Sequence, residues 1–305
     1  MAWKLRITRR RVVVGLLGLV PLSAIAAILF VVNGMLLAYG ETPRAGTTQH
    51  AALLSESLEA KVLAFNVAKG FVHKGGLSFE DSATVSARMR KIADLINAEK
   101  PDLVFLSEVV FECTPCPVNQ VVELAEATGM HGWAFGENYN LGLPFYRIVG
   151  GNAILSRRSL EPVANVSLVG RRPFYVTHNN RRALWCATQI GGQRVLLASL
   201  HNDSFSLTNN RRQVEQLLEF ADDQAAILAG DFNARPNEPP IKAIRESGRF
   251  SGAFEGPMTF PSNKPHKRID FIFAPKDWQL VEHRVLTSDA SDHLPIVSAF
   301  RLPKP

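Results

Sequence analysis

Acidic, amide and imidazole side chains recur where predicted strands end, between residues 66 and 293 of this 305-residue chain. The candidate site residues are Asn66, Glu108, His201, Asp231, Asn233, Asp270, Asp292 and His293. Strand ends on a rigid sheet can converge at one rim, and clustered carboxylate and carboxamide oxygens suit a hard cation such as Mg²⁺. Taken singly, each residue also has an ordinary role in a turn, a core or a solvated loop. The ordered combination is what predicts a metal-assisted site.

One chemistry open to this set of side chains is metal-assisted hydrolysis of a phosphoester. A nucleophile must approach a phosphorus atom that is already anionic, so neutralisation of charge by a metal and by hydrogen-bond donors dominates the catalysis. No covalent nucleophile is required. The sequence contains neither a serine nucleophile elbow nor a glycine-rich P-loop.

Short apolar runs alternate with amphipathic helical patterns from residue 61 onward. Strands are predicted at 62–67, 103–106, 225–229, 268–273 and 295–300, and helices at 82–98 and 207–220. The first helix carries Val85, Met89, Ile92 and Ile96 on one face. These elements place the candidate side chains at strand ends of an α/β domain.

Seven motifs in this region resemble the endonuclease/exonuclease/phosphatase superfamily, which includes DNase I-like nucleases, sphingomyelinases and inositol polyphosphate phosphatases. They are LAFNV, PDLVFLSEV, GGNAILSR, SLHND, GDFNARP, RIDFIF and SDHLPI. The resemblance covers nearly all of residues 61–303, and GDFN followed about sixty residues later by SDHLP is its most specific part. It implies a four-layer α/β sandwich, with two mixed β-sheets packed face to face and helices outside.

The resemblance also implies metal ligands. Glu108 would bind the catalytic metal with Asn66 beside it, and Asp292 would complete a second metal position or brace the neighbouring histidine. Mg²⁺ is the expected metal and Mn²⁺ a substitute. Ser107 departs from the pattern, since many relatives have Gln before the acid, and Tyr146 is only a weak match to a phosphate-contacting tyrosine.

The catalytic roles carried over by the resemblance involve five further residues. His293 would sit with Asp270, whose carboxylate fixes the imidazole tautomer and raises its basicity. Asp231 would position or deprotonate the attacking water, and Asn233 would donate to a phosphate oxygen. His201 would contact the phosphate and stabilise charge on the departing oxygen.

The N-terminal region predicts a membrane anchor. Residues 12–39 form an uncharged run of 28 residues, which exceeds the ~20 needed to cross a bilayer, and five basic residues precede it. A twin-arginine signal, a cleaved signal peptide and a buried core helix are the alternatives. The predicted organisation is a basic segment 1–11, a transmembrane or signal-anchor helix 12–39, a linker 40–60 and a catalytic domain 61–305 outside the cytoplasm, in the periplasm.

The net charge of +6 gives little support to a nucleic-acid substrate. Because five of the basic residues precede the apolar run, the remainder of the chain carries a net charge of about +1. Among the three cysteines, Cys113 and Cys116 are close enough to predict a structural disulfide, with a redox-active pair, a zinc site or free thiols as alternatives. Cys186 is predicted to be a buried hydrophobe.

Three classes of function remain open. A lipid or small phosphoester is favoured as substrate by the predicted tether and the near-neutral domain, and no protein partner is predicted. A nuclease could use arginine pairs and a loop after Asn66, namely Arg171-Arg172, Arg181-Arg182, Arg211-Arg212, Phe71, His73 and Lys74. The third class is a non-catalytic module tethered to the membrane, but no metal acid or histidine of the pattern is missing.

Overall fold

The computed structural model describes residues 9–32, 40–53, 57–75, 78–143, 145–170 and 181–304. The helices are α1 (Arg9–Val32), α2 (Ser82–Glu99), α3 (Gln120–Ala127), α4 (Leu207–Ala221) and α5 (Pro239–Glu246). The strands are β1 (Arg44–Thr47), β2 (Glu59–Asn66), β3 (His73–Gly75), β4 (Ser78–Phe79), β5 (Leu103–Cys113), β6 (Gly132–Leu143), β7 (Tyr146–Ser156), β8 (Glu161–Ser167), β9 (Arg182–Ile190), β10 (Gln193–His201), β11 (Ala226–Asp231), β12 (Phe250–Gly252), β13 (Asp270–Pro275), β14 (Gln279–Val285) and β15 (Ile296–Arg301).

Two large mixed sheets form the centre of the fold, as the sequence predicted. The first has seven strands in the order β1-β6-β7-β5-β2-β15-β14, and the second has six in the order β12-β13-β11-β10-β9-β8. Strands β2 and β5 are parallel, as are β10 and β11, while the other pairs of these sheets are antiparallel. Strands β3 and β4 form a separate hairpin.

The two sheets pack face to face because their strands carry apolar side chains on both faces. In β2, Val62 belongs to the core between the sheets, whereas Leu63 packs on the outer side with α2 and α3. In β11, Ile227 faces the same central core and Leu228 packs with α4 and α5. The period-2 alternation of a strand therefore produces three cores and four layers of secondary structure.

The amphipathic patterns place the helices on the outer layers. Helix α2 corresponds to the predicted helix 82–98 and buries the predicted apolar face. It begins after Asp81, whose carboxylate accepts a hydrogen bond from the Thr84 backbone N–H at 2.9 Å. Helix α4 corresponds to the predicted helix 207–220, and Ser206 caps its N-terminus by accepting from the Asn209 backbone N–H.

The segment 40–60, predicted as a linker, is in part built into the first sheet. Strand β1 pairs antiparallel with β6, from Arg44 opposite Phe135 to Thr47 opposite Gly132. The Gly40 carbonyl accepts a hydrogen bond from Asn165 Nδ2. Main-chain pairing at a sheet edge does not require an apolar sequence, so composition alone marked this stretch as a tether.

The predicted disulfide between Cys113 and Cys116 is not formed in the structure. Cys113, Cys116 and Cys186 are all buried free thiols. The backbone N–H of Cys116 donates to the Cys113 carbonyl in a tight turn, and both thiols lie in the apolar core beneath α2 and α3. Burial raises the pKa of both thiols, so they remain protonated hydrophobes, as Cys186 was predicted to be.

The predicted anchor lies only partly within the described residues. Helix α1 contains Pro21, and residues 33–39 fall outside the described residues together with Thr8 of the twin-arginine pattern. Among the helices that the structure describes, none combines the length and apolar character needed for a membrane span.

Candidate active site

Strand register makes three of the predicted residues direct neighbours on the second sheet. His201, the last residue of β10, pairs with Asp231, the last residue of β11. Asp231 in turn pairs with Asp270, the first residue of β13. Adjacent strands lie about 4.8 Å apart, so the three side chains share one end of the sheet.

The first sheet contributes Asn66 and Glu108 to the same rim. Asn66 ends β2 and pairs with Ser107 of the parallel strand β5. Glu108 follows at a shift of register between Leu106 and Val109, and its φ is 55°. A bulge of this kind re-aims a side chain, which here brings the Glu108 carboxylate to the rim where Asn66 ends.

Two reciprocal hydrogen bonds join the sheets beside this rim. The Ser107 hydroxyl donates to the Leu200 carbonyl at 2.9 Å, and the Ser199 hydroxyl donates to the Leu106 carbonyl at 3.1 Å. Both hydroxyls are fully buried. Ser107, the departure from the family pattern, thus fixes β5 against β10 one residue before Glu108 and His201.

The Asn66 side chain contacts three other residues of the site. Its Nδ2 donates to Asp231 Oδ2 at 3.1 Å and to Glu108 Oε1 at 3.3 Å, and lies 3.5 Å from His293 Nε2. Its Oδ1 accepts from the Ala68 backbone N–H at 3.0 Å. Because one amide contacts residues of both sheets and of the loop before β15, it links the metal-ligand candidates to the histidine.

His293 and Asp270 form the predicted pair. His293 Nδ1 lies 3.1 and 3.0 Å from the two Asp270 carboxylate oxygens, and the Thr259 hydroxyl donates to one of these oxygens at 2.6 Å. The Phe260 ring packs on the imidazole at 4.7 Å between centroids. Burial opposes protonation of His293, but Asp270 and the neighbouring carboxylates outweigh it and raise its pKa to about 10.

Asp231 lies between the two histidines. Its Oδ2 is 3.5 Å from His201 Nε2 and 3.7 Å from His293 Nε2, while its Oδ1 accepts from the Asn233 backbone N–H at 2.8 Å. Burial and the charge of Asp270 raise the pKa of Asp231 to about 7. A carboxylate with this environment can exchange a proton near neutral pH.

Glu108 is held ionised although it is mostly buried. Burial opposes its ionisation, but the charge of His201 in its protonated form, the Lys69 ammonium and hydrogen bonds from Lys69 and Asn66 outweigh burial and lower the pKa of Glu108 to about 2. Burial and the nearby cations Arg181 and Lys69 lower the pKa of His201 well below its ordinary value. His201 is therefore neutral at pH 7, and the Lys69 ammonium contacts the Glu108 carboxylate.

Asn233 and Asp292 lie at the edge of this cluster. The Asn233 side chain donates to the Asn202 carbonyl at 3.1 Å, and its backbone has a φ of 48°. Asp292 is exposed and lines the cavity that also contacts Glu108. Within the described residues, no hydrogen bond joins its carboxylate to Asn66 or Glu108, so its metal role stays a prediction.

Sequence reasoning missed Lys69 at the site and considered Arg181 only as one half of a basic pair in a nuclease. Lys69 contacts Glu108 through its ammonium group, and Arg181 lines the same cavity as His201. Lys69 lies only three residues after Asn66, which is a signal that the sequence did contain. Arg181 was paired with Arg182 as one basic patch, but Arg182 is buried and donates to the Gly40 and Asn165 carbonyls.

The donor set at the rim fits a hard divalent cation. Asp231, Asp270 and His293 each present a ligand atom within 4.8 Å of the others. Glu108 and Asn66 add a carboxylate and an amide oxygen, and the Glu108 carboxylate already binds the cationic Lys69. Carboxylate and carbonyl oxygens are the ligands that Mg²⁺ and Mn²⁺ prefer. Asp270 is engaged with His293, and the Asn66 amide oxygen accepts from the Ala68 backbone N–H, so the choice of Glu108 and Asn66 as the metal ligands stays a prediction.

Known structures share this fold. An endonuclease/exonuclease/phosphatase from Beutenbergia cavernae is 22% identical with a TM-score of 0.60, covering 80% of this chain and 72% of its own. The mannosyl-6-phosphatase of Bacteroides thetaiotaomicron is 17% identical with a TM-score of 0.57, covering 78% and 98%. Humanized D. rerio TDP2 is 17% identical with a TM-score of 0.57, covering 80% and 99%.

Sequence comparison gives the family directly. No curated protein matches the chain. The profile of the Endonuclease/Exonuclease/phosphatase family matches residues 63–293, a range that contains all eight candidate site residues. The chain belongs to the endonuclease/exonuclease/phosphatase family.

Proposed function

We propose that this protein is a Mg²⁺-dependent phosphoester hydrolase in which Mn²⁺ can replace Mg²⁺. The observation that carries the proposal is the convergence of Asn66, Glu108, His201, Asp231 and the His293–Asp270 pair at one rim between the two sheets. Hydrogen bonds and polar contacts of 3.0–3.7 Å connect these groups. Such a set combines metal ligands, an oriented imidazole and a buried carboxylate, which together suit hydrolysis by activated water.

Glu108 and Asn66 would hold the metal, with Asp292 as a further ligand at the exposed side. A metal held there would supply charge neutralisation at the phosphate and would lower the pKa of the attacking water. Asp231, whose Oδ2 accepts from Asn66 Nδ2 at 3.1 Å, would orient the attacking water and accept its proton. This arrangement requires no covalent intermediate.

The remaining polar groups would act on the phosphate. His293, oriented through Nδ1 by Asp270, presents Nε2 toward the centre of the site. His201 and Asn233 lie on the second-sheet side, where their N–H groups can donate to phosphate oxygens and to the departing oxygen. Preorganised donors of this kind stabilise charge as it develops, without reorganising during the reaction.

A lipid or small phosphoester is the proposed substrate class, with nucleic acid as the runner-up. Three arginine pairs suggested a nuclease. Arg171-Arg172 lies outside the described residues, and Arg182 is buried and donates to backbone carbonyl groups. Arg211 pairs with Glu215 on the surface of α4, at 3.0 Å. Phosphate-backbone binding relies on several cations available to the ligand, so these contacts weaken the nuclease alternative.

We further propose that residues 12–39 anchor the chain in a membrane, with the catalytic domain in the periplasm. The support is the uncharged run of 28 residues behind five basic ones. Expressed at full length, the protein should resist carbonate extraction from membranes, and protease added outside spheroplasts should digest its catalytic domain. Release into the soluble fraction, or protection from the protease, would contradict this placement.

The activity is tested with the full-length chain in detergent, using bis-p-nitrophenyl phosphate, plasmid DNA and a phospholipid panel with Mg²⁺, Mn²⁺ or EDTA. Glu108→Ala and His293→Ala should each abolish metal-dependent turnover. Glu112→Ala is the matched control, because Glu112 lies on the same strand with a side chain 43% exposed. Turnover that survives both site substitutions would refute the assignment, and preferred cleavage of DNA would select the nuclease.

A further inference from the structure

A cavity of about 810 Å³ opens beside the candidate site. Glu108, His201 and Asp292 contribute to its lining, so it is continuous with the rim where the phosphate would react. Most of the remaining lining comes from the loop after β2, the β3–β4 hairpin and the strands β6 and β7, and Val110 of β5 and Arg181 complete it. Its volume lies within the range of about 300–1,000 Å³ that small-molecule sites occupy.

Apolar side chains form a large part of this lining, called here the apolar wall. They are Phe71, Val72, Phe79, Leu141, Tyr146 and Ile148. A wall of this composition removes apolar ligand surface from water, whereas a sugar or an extended phosphate chain would lose hydration against it. The hairpin between β6 and β7 also exposes 71% of Phe145, next to Tyr146.

Contacts behind the cavity hold two of the aromatic rings in place. The Arg88 guanidinium lies 4.9 Å from the centre of the Phe71 ring and donates to the Gly70 carbonyl at 3.2 Å. The His73 and Phe79 rings pack edge to face at 5.2 Å across the β3–β4 hairpin. Phe71 and Phe79 are thus held in position without a ligand, so binding need not order these two rings.

Cationic side chains lie on the catalytic side of the lining. Lys69 contacts Glu108, and the charge of Arg181 acts on Asp231 and Glu108. An anionic phosphate would therefore be attracted to the catalytic rim, while an attached apolar group would enter the cavity. A nucleic acid would instead need several further cations along its path.

We propose that this cavity binds a bulky apolar group, alkyl or aryl, attached to the phosphoester that the site hydrolyses. The inference rests on the proposed hydrolase function and makes it specific: the substrate is an amphiphilic phosphoester. The phosphate end is held by Lys69 and Arg181, and the apolar end packs against the wall that includes Leu141 and Ile148.

The test compares methyl, octyl and phenyl p-nitrophenyl phosphate, three diesters with one leaving group and one charge, below their micellar concentrations. With the full-length protein and Mg²⁺, we expect kcat/KM for the octyl or the phenyl ester to exceed that for the methyl ester by about tenfold or more, since each buried methylene favours binding by roughly fourfold. Preference for octyl alone identifies an alkyl group, and preference for phenyl alone an aryl group.

Variants connect the preference to the cavity. Leu141→Asp and Tyr146→Ser should each reduce the ratio of octyl or phenyl to methyl turnover at least fivefold. Tyr146 is 45% exposed, so its replacement keeps the test valid if the first variant does not fold. Val281→Asp is the control, because Val281 is 50% exposed on the edge strand β14 and should leave the ratio unchanged.

The outcomes separate this inference from the proposed function. Metal-dependent turnover of bis-p-nitrophenyl phosphate with equal kcat/KM for the three diesters would overturn the apolar subsite and leave the hydrolase intact. A preference that survives both cavity variants would also overturn it. If no diester, including bis-p-nitrophenyl phosphate, is turned over with metal present, the proposed function itself fails.

Discussion

Replacing Asp270 with Asn tests whether the His293–Asp270 pair acts in catalysis. Asp270→Asn keeps the size of the side chain but removes the negative charge that lies 3.0–3.1 Å from His293 Nδ1. The amide can also present its NH₂ group to Nδ1, which favours the wrong tautomer of the imidazole. The Thr259 hydroxyl can still donate to the remaining oxygen, so the backbone around residue 270 should be retained.

The expected loss follows from the charge interaction. Two unit charges about 4 Å apart in a partly buried site, with an effective dielectric constant of about 20, interact by about 4 kcal/mol. If that stabilisation supports the transition state, kcat/KM falls by about a thousandfold, because each 1.4 kcal/mol corresponds to about tenfold. A purely structural role for Asp270 predicts a lower melting temperature with little change in kcat/KM.

The assay is kcat/KM for bis-p-nitrophenyl phosphate at saturating Mg²⁺ from pH 5 to 9, with the melting temperature measured in the same buffers. Thr259→Val serves as the graded control, since it removes one 2.6 Å hydrogen bond to Asp270 but leaves the charge, and about a tenfold loss is expected. A folded Asp270→Asn protein within threefold of wild type at every pH would refute the reasoning.

Three further predictions concern metal affinity and stability. Lys69→Met removes the ammonium that competes with the metal for Glu108. The Mg²⁺ concentration at half saturation, measured by calorimetry, should therefore fall about fivefold. An increase in that concentration would show that Lys69 instead favours metal binding. Burial and Arg268 lower the pKa of His283 from 6.5 to about 4, so the unfolded chain takes up the proton first as pH falls below 6.5. After allowing for the partial exposure of His283, the free energy of unfolding should fall by about 1–2 kcal/mol by pH 4. Urea unfolding of His283→Gln should lack this loss. If the free energy of unfolding of the variant depends on pH as in the wild type, the prediction is contradicted. Ser107→Ala leaves the buried Leu200 carbonyl without its 2.9 Å donor and should lower the free energy of unfolding by about 1–3 kcal/mol, whereas a loss below 0.3 kcal/mol would mean that the hydrogen bond contributes little net stability.

Local patterns in the sequence were sufficient for much of the fold. The face formed by Val85, Met89, Ile92 and Ile96 predicted α2 because apolar side chains at helical spacing must face a core. Motifs at strand ends likewise identified Asn66 and the other candidate residues, and the family relationship gave the two mixed sheets. These features depend on a few neighbouring residues, which is why sequence patterns reveal them.

Edge pairing and cysteine chemistry were predicted less well. Strand β1 has a polar sequence, and only the exposed edge of β6 explains why residues 44–47 join the sheet. The spacing of Cys113 and Cys116 allowed a disulfide, but it could not report that both thiols face an apolar core. In both cases, the deciding contacts come from residues far away in the chain.

The sequence by itself determined which side chains stand at strand ends and which faces of the helices are apolar. Only the tertiary structure decided that His201, Asp231 and Asp270 are lateral neighbours, that Lys69 meets Glu108, and that an apolar cavity adjoins them. The Arg181-Arg182 pair shows the same division, because one side chain lines the cavity and the other is buried in carbonyl contacts. The physical reason is that the alternation of side chains along a strand is a local property. Register between strands and packing between sheets depend instead on the summed contacts of segments that can lie more than a hundred residues apart in the chain.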